Sequence, residues 1–181
     1  MAGQRLTDKT ALDEQLGSGD LFMVVDVNDT TGSTAGTSKK FDTKYLIQTD
    51  KISVSNAELH AMKATGGAGT FKTLVGALSG YMITVYNVTI LTTYAASTEA
   101  SSENLFLGYK SDDTTAYWGT ARDFMNGSTK SISACFTGAF VPNGTCTESL
   151  LNKPFLMYSS DNFDGGWTCD VYVTYAYTKV L

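Results

Sequence analysis

Apolar and polar residues alternate with a period of two along much of this chain, most clearly near its end. In the run from Trp167 to Tyr177, Val171, Val173, Tyr175 and Tyr177 take the odd positions, and Thr174, Ala176 and Thr178 alternate with them. Successive side chains of a strand point to opposite faces, so this pattern predicts a half-buried strand. Strands are likewise expected over 71–78, 81–91, 104–109, 116–119, 131–141 and 154–158. Asn126-Gly127, Asn143-Gly144 and Asp164-Gly165 fall between them, where such pairs favour tight turns. Seven or eight short strands in about 115 residues predict an antiparallel β-sandwich or jelly roll.

The front of the chain has another texture. Leu6, Ala11, Leu12 and Leu16 predict a short helix stopped by Gly17-Ser18-Gly19, and Leu21–Val27 predicts a strand. A polar loop over 28–38 is too long for a tight hairpin. Residues 39–48, with Phe41, Tyr45, Leu46 and Ile47, then read as a strand or helical turn. Ser55-Asn56-Ala57-Glu58 has the spacing of a capping box, with Leu59 and Met62 as the apolar face of the helix it opens and Gly66–Gly69 ending it. The chain therefore divides into a small α+β segment, 1–52, and a β-sandwich domain, 53–181. The first carries too few large apolar residues to offset its chain entropy alone, and should gain order against a partner.

Composition narrows the function. Charged residues are 17% of the chain, below the roughly 25% usual for soluble domains, and Thr, Ser, Gly and Tyr fill the difference. The net charge is −5, and the thirteen basic residues are scattered, with Lys39-Lys40 the one adjacent pair. Nucleic acid, which needs a basic face, is not an expected partner. No apolar run is long enough to span a bilayer, and residues 1–8 lack the apolar core of a signal peptide, so no membrane association, and synthesis in the cytoplasm, are expected.

No catalytic site is expected. The one histidine, His60, has no Gly-x-Ser-x-Gly elbow to serve and reads as a surface or packed residue. Gly66–Thr73 lacks phosphate-loop spacing. Asp26, Asn28 and Thr30 alternate as in a calcium loop, but the glycine comes one residue late and position twelve is Thr37, so no metal or cofactor is expected. Cys135, Cys146 and Cys169 form no metal pattern and read as reduced, partly buried thiols, with a Cys135–Cys146 bridge across a hairpin as the other option. Four Asn-x-Ser/Thr sequons, at Asn28, Asn87, Asn126 and Asn143, carry no meaning without a secretion signal.

Three stretches resemble bacteriophage virion proteins of the head-decoration and head-fibre type. Leu21–Lys40 looks like the N-terminal attachment segment of phage fibres and appendages. Val54–Lys72, a short helix and Gly-Ala-Gly turn, is similar to the entry into the jelly roll of small proteins encoded beside phage capsid genes. Lys153–Leu181, containing Asn162-Phe163-Asp164-Gly165-Gly166 and Val171–Tyr175, resembles their closing hairpin and last strand. The resemblance implies a homotrimer in the virion that binds the major capsid protein, or another virion protein, through its N-terminal segment. Phe22, Val24, Phe41 and Tyr45 are then the expected anchor contacts, unless they pack within the subunit. The alternative is a carbohydrate- or receptor-binding module of a tail appendage, with a groove around Trp118 or Trp167.

Overall fold

Strand pairing in this protein nests like brackets. The computed structural model describes residues 21–42, 45–63, 70–109, 118–137 and 150–180, and the chain forms two units, 1–44 and 45–181. In the second unit the elements run β3 (Gln48–Val54), α1 (Asn56–Ala61), β4 (Lys72–Val75), β5 (Tyr81–Tyr94), β6 (Leu105–Gly108), β7 (Gly119–Ala121), β8 (Ser133–Thr137), β9 (Phe155–Ser159) and β10 (Trp167–Lys179). The first of these eight strands pairs with the last, the second with the seventh, the third with the sixth, and the middle two with each other. Every pairing is antiparallel, and the sheets have the orders β3-β10-β5-β8 and β4-β9-β6-β7. One long hairpin rolled across itself gives this order, so the unit is a jelly-roll sandwich.

Alternation places the core. Trp167, Cys169, Val171, Val173 and Tyr175 of β10 point inward and are buried, as are Ile83, Val85, Val88 and Ile90 of β5. A bulge where Thr174/Tyr175 pass β5 preserves this phase across a shift in register. The other sheet obeys a different rule. Leu105, Leu107, Phe155 and Met157 enter the main core, whereas Phe106, Leu156 and Tyr158 form a second buried cluster. Both faces of that sheet are therefore apolar, which explains the unbroken runs Leu105-Phe106-Leu107 and Phe155–Tyr158.

α1 begins as the capping box requires. Ser55 Oγ accepts from the Glu58 amide, and Glu58 accepts from the Ser55 amide at 2.8 Å. Leu59 and Met62 are buried beneath it.

Several sequence expectations shift. The boundary expected after residue 52 lies inside β3, because Gln48–Val54 pairs along its whole length with β10. β7 begins at Gly119, the last residue of the strand expected over 116–119; Trp118 is buried just before it, and residues 116 and 117 lie outside the described residues. β9 and β10 do not close a hairpin: β9 pairs with β4 and β6, and β10 with β3 and β5, so Asp164-Gly165 lies in a crossing between sheets. The helix expected over 6–16, the Gly66–Gly69 turn, Asn143-Gly144 and Cys146 lie outside the described residues.

Candidate functional site

The first unit contains a two-stranded ribbon, β1 (Leu21–Asp26) against β2 (Thr37–Asp42), joined by the loop 27–36. In this register Phe22 lies opposite Phe41, Val24 opposite Lys39, and Asp26 opposite Thr37. These six positions share one face, and Met23 and Val25 lie on the other. Apolar side chains are exposed on both faces: Phe22 is 43% exposed and Met23 82%. Val25 and Val27 are exposed as well. The sequence signal was the run Leu21–Val25, which is apolar without alternation and so demands cover on two sides. Sequence reasoning named Phe22 and Val24 but passed over Met23, Val25 and Val27.

Charge holds the turn of the ribbon. Lys39 Nζ lies 2.9 Å from carboxylate oxygens of both Asp26 and Asp29. Asp26 also accepts the Asn28 amide at 3.1 Å, and Asp29 accepts the Thr31 hydroxyl and amide at 2.6 and 3.0 Å. The Lys39 ammonium and the Asn28 amide hold the Asp26 carboxyl below its usual range. The Thr31 hydroxyl, then Lys39, hold Asp29 well below it, and the two carboxylates raise Lys39. Of the alternating residues that resembled a calcium loop, Asp26 is thus held by a cation of the chain itself, the lysine of the opposite strand, which it shares with Asp29. Gly36 completes the turn with φ +114°, and a Cβ there would meet the Asp26 carbonyl oxygen at 2.7 Å. Only glycine fits.

Three of the four expected anchors, Phe22, Val24 and Phe41, are thus brought together on one ribbon face. Tyr45 is not among them. It belongs to the sandwich unit, where its ring stacks on Tyr81 at 5.6 Å between centroids. Tyr81 meets Tyr177, and Tyr177 meets Tyr175, both edge to face.

The remaining candidate groups serve the fold. His60 Nε2 lies 2.9 Å from the Gly165 carbonyl and 3.2 Å from the Asn56 side-chain amide. Glu99 is 1% exposed and accepts from the Ser101 hydroxyl, the Asp164 and Gly165 amides and the Trp167 indole N–H. A buried carboxylate with four donors is a structural clamp between two loops. Both indoles of the expected sugar groove are buried: Trp167 packs on Phe124 and Phe163, and Trp118 on Phe155. A small apolar cavity of about 200 Å³ adjoins Trp118, lined by Met82, Ile83, Val85, Tyr109 and Leu150 among others. The Tyr109 hydroxyl there donates to the Ile83 carbonyl at 2.8 Å. Among the described residues no group of three His, Cys, Asp or Glu side chains is placed to hold a metal.

No protein-family model matches the chain, and no curated protein does. Among solved structures, it is similar to a chain of the cyanophage Pam1 capsid asymmetric unit at 15% identity and a TM-score of 0.35, covering 97% of this chain and 98% of that one. It is also similar to a chain of the full particle of Israeli acute paralysis virus heated to 63 degrees. There the identity is 12% and the TM-score 0.34, with 96% of each chain covered.

Proposed function

We propose that this chain is a non-catalytic structural protein of a bacteriophage virion, a homotrimeric decoration or head-fibre protein. It docks on the major capsid protein, or another exterior virion protein, through its N-terminal ribbon unit. The observation that carries this reading is the β1–β2 ribbon with apolar side chains exposed on both faces. A two-stranded ribbon is marginal in water, and a third strand or a packed face is what makes one stable. Docking supplies that burial. The jelly roll supports the reading because it is an architecture of capsid proteins, as does the likeness of Leu21–Lys40 to phage attachment segments. Three weak anchors on one trimer raise the effective affinity without any single strong site.

The absence of catalysis is part of the same reading. The histidine and the buried glutamate that an enzyme would need are committed to backbone carbonyls, amides and an indole. A glycan-binding role requires an aromatic platform open to solvent, and Trp118 and Trp167 are both buried.

The test is removal of residues 1–44, stopping before β3. The truncated protein should keep the thermal transition of the sandwich and still self-associate, but no longer co-purify with phage heads. Attachment at the level of the full chain overturns the reading.

A further inference from the structure

The two outer faces of the sandwich differ in kind. Behind the β4-β9-β6-β7 sheet, Phe106, Leu156 and Tyr158 are buried. Behind the β3-β10-β5-β8 sheet no outward side chain of the four strands is buried: every one is exposed or half-exposed. That open face is nearly free of net charge. Its charged side chains are Lys51 and Asp170, and they pair with each other at 2.9 Å.

Several polar groups of this face are already partnered across strands. Thr49 and Thr174 hydroxyls lie 2.9 Å apart, and those of Thr84 and Thr178 2.8 Å apart. Asn87 donates to the Cys135 sulfur at 3.2 Å. Hydroxyls that bond one another lose little when water is removed, and they leave their methyl groups outward. Larger apolar groups stand among them, with Met82 and Tyr172 half-buried on the same face. Leu91, opposite Asp170 and Ser133, is 40% exposed, and Tyr86, left unmatched by the bulge, is 47% exposed.

We infer that this outer sheet face is where copies of the chain meet, so the occupant is a second copy of the same face or of its neighbour in a ring. The inference rests on the self-associating reading above and gives it a location. Two observations select a copy of the same chain. Molecules of net charge −5 repel one another, and a self-neutralised sheet face lets them approach without opposing like charges. Four strands about 4.8 Å apart, roughly nine residues deep, offer on the order of 600 Å² in projection, near what each partner of a stable interface contributes. Tyr86 and Leu91 sit where an anchoring pair is needed, with a rim of threonines around them.

The experiment is sedimentation velocity on the full chain over a hundredfold range of concentration, with Tyr86→Lys, Leu91→Lys and, as a control off this face, Phe71→Lys. Phe71 is also exposed and apolar. The expected result is an oligomeric wild type, a control that associates equally, and at least tenfold weaker association for both face variants with unchanged circular dichroism. Alkylation of Cys135, followed by peptide mapping, provides a second readout that needs no substitution. It should slow at least fivefold in the oligomer. Face variants that associate like wild type, or an equally reactive Cys135, overturn the location and leave self-association standing. A wild type that is monomeric throughout overturns both.

Discussion

The indole N–H of Trp167 donates to Glu99 at 2.9 Å inside the sandwich. This bond ties the first residue of β10 to the connection between β5 and β6. The same carboxylate takes the Asp164 and Gly165 amides, each at 3.0 Å. Glu99→Ala leaves four donors, two of them in buried bonds, without an acceptor and should destabilise the fold by about 3–5 kcal/mol. Glu99→Gln keeps one acceptor oxygen but turns an amide toward donors, and should cost about 1–3 kcal/mol. Urea unfolding followed by tryptophan fluorescence measures both. Equal stability of Glu99→Ala and wild type would remove the clamp from the account.

Two glycines give opposite readouts from one chemical change. A Cβ on Gly165 would meet the Glu99 backbone at 2.8 Å, so Gly165→Ala should lower sandwich stability by roughly 2–4 kcal/mol. Gly36→Ala meets the Asp26 carbonyl from a backbone that alanine rarely adopts. It should leave the sandwich transition unmoved while reducing attachment to phage heads. Calorimetry and head co-purification on the same pair of variants separate the two effects.

Acid should weaken the α1 cap. Lys72, first, and the Ser55 amide hold the Glu58 carboxyl down to about 2 from an ordinary value near 4.5. A depressed folded-state value means the stabilisation is complete above about 4.5 and is lost as pH falls toward 2. The group is 43% exposed, so solvent screening keeps the effect small. Glu58→Gln should cost under about 1 kcal/mol at pH 7 and flatten the fall in melting temperature below pH 4.5. An unchanged acid slope in the variant would show that other carboxylates carry it.

Thiol chemistry should discriminate sharply between Cys135 on the edge strand β8 and Cys169 on the inner strand β10. Burial pushes the Cys169 thiol up to about 12, while Asn87 and then Thr89 favour the thiolate of exposed Cys135. At neutral pH, in dilute monomeric protein, iodoacetamide should modify Cys135 and leave Cys169 intact until the chain unfolds. Mass spectrometry of the peptides checks this, and early labelling of Cys169 would mean that the core opens locally.

Much of the sandwich was legible because its strands alternate. Val171, Val173 and Tyr175 gave β10 its inward face before any coordinates were needed, and Ser55 with Glu58 marked the start of α1. β3 was not legible. The positions opposite inward Val173 and Tyr175 are the polar Asp50 and Gln48, and the Tyr175 hydroxyl reaches Gln48 at 3.3 Å and Asp50 at 2.8 Å. A polar residue matched by a distant hydroxyl looks, in one dimension, like a loop. For the same reason Glu99 passed unnoticed: three of its four donors lie in residues 164–167, far from it in the chain. The ribbon was half visible, since Leu21–Val25 is plainly apolar, but the lysine that closes its turn is thirteen residues from the aspartate it binds.

The place of β10 between β3 and β5 sets a timetable for synthesis. Of the eight paired strands it leaves the ribosome last, yet it is the central plank to which the first and third must attach. Until it emerges, β3 has no neighbour in its sheet, and assembly waits on contacts more than a hundred residues apart in the chain. A nascent chain stalled before Trp167 would therefore leave both edges of β3 and one edge of β5 unpaired, and is the species most prone to misassemble.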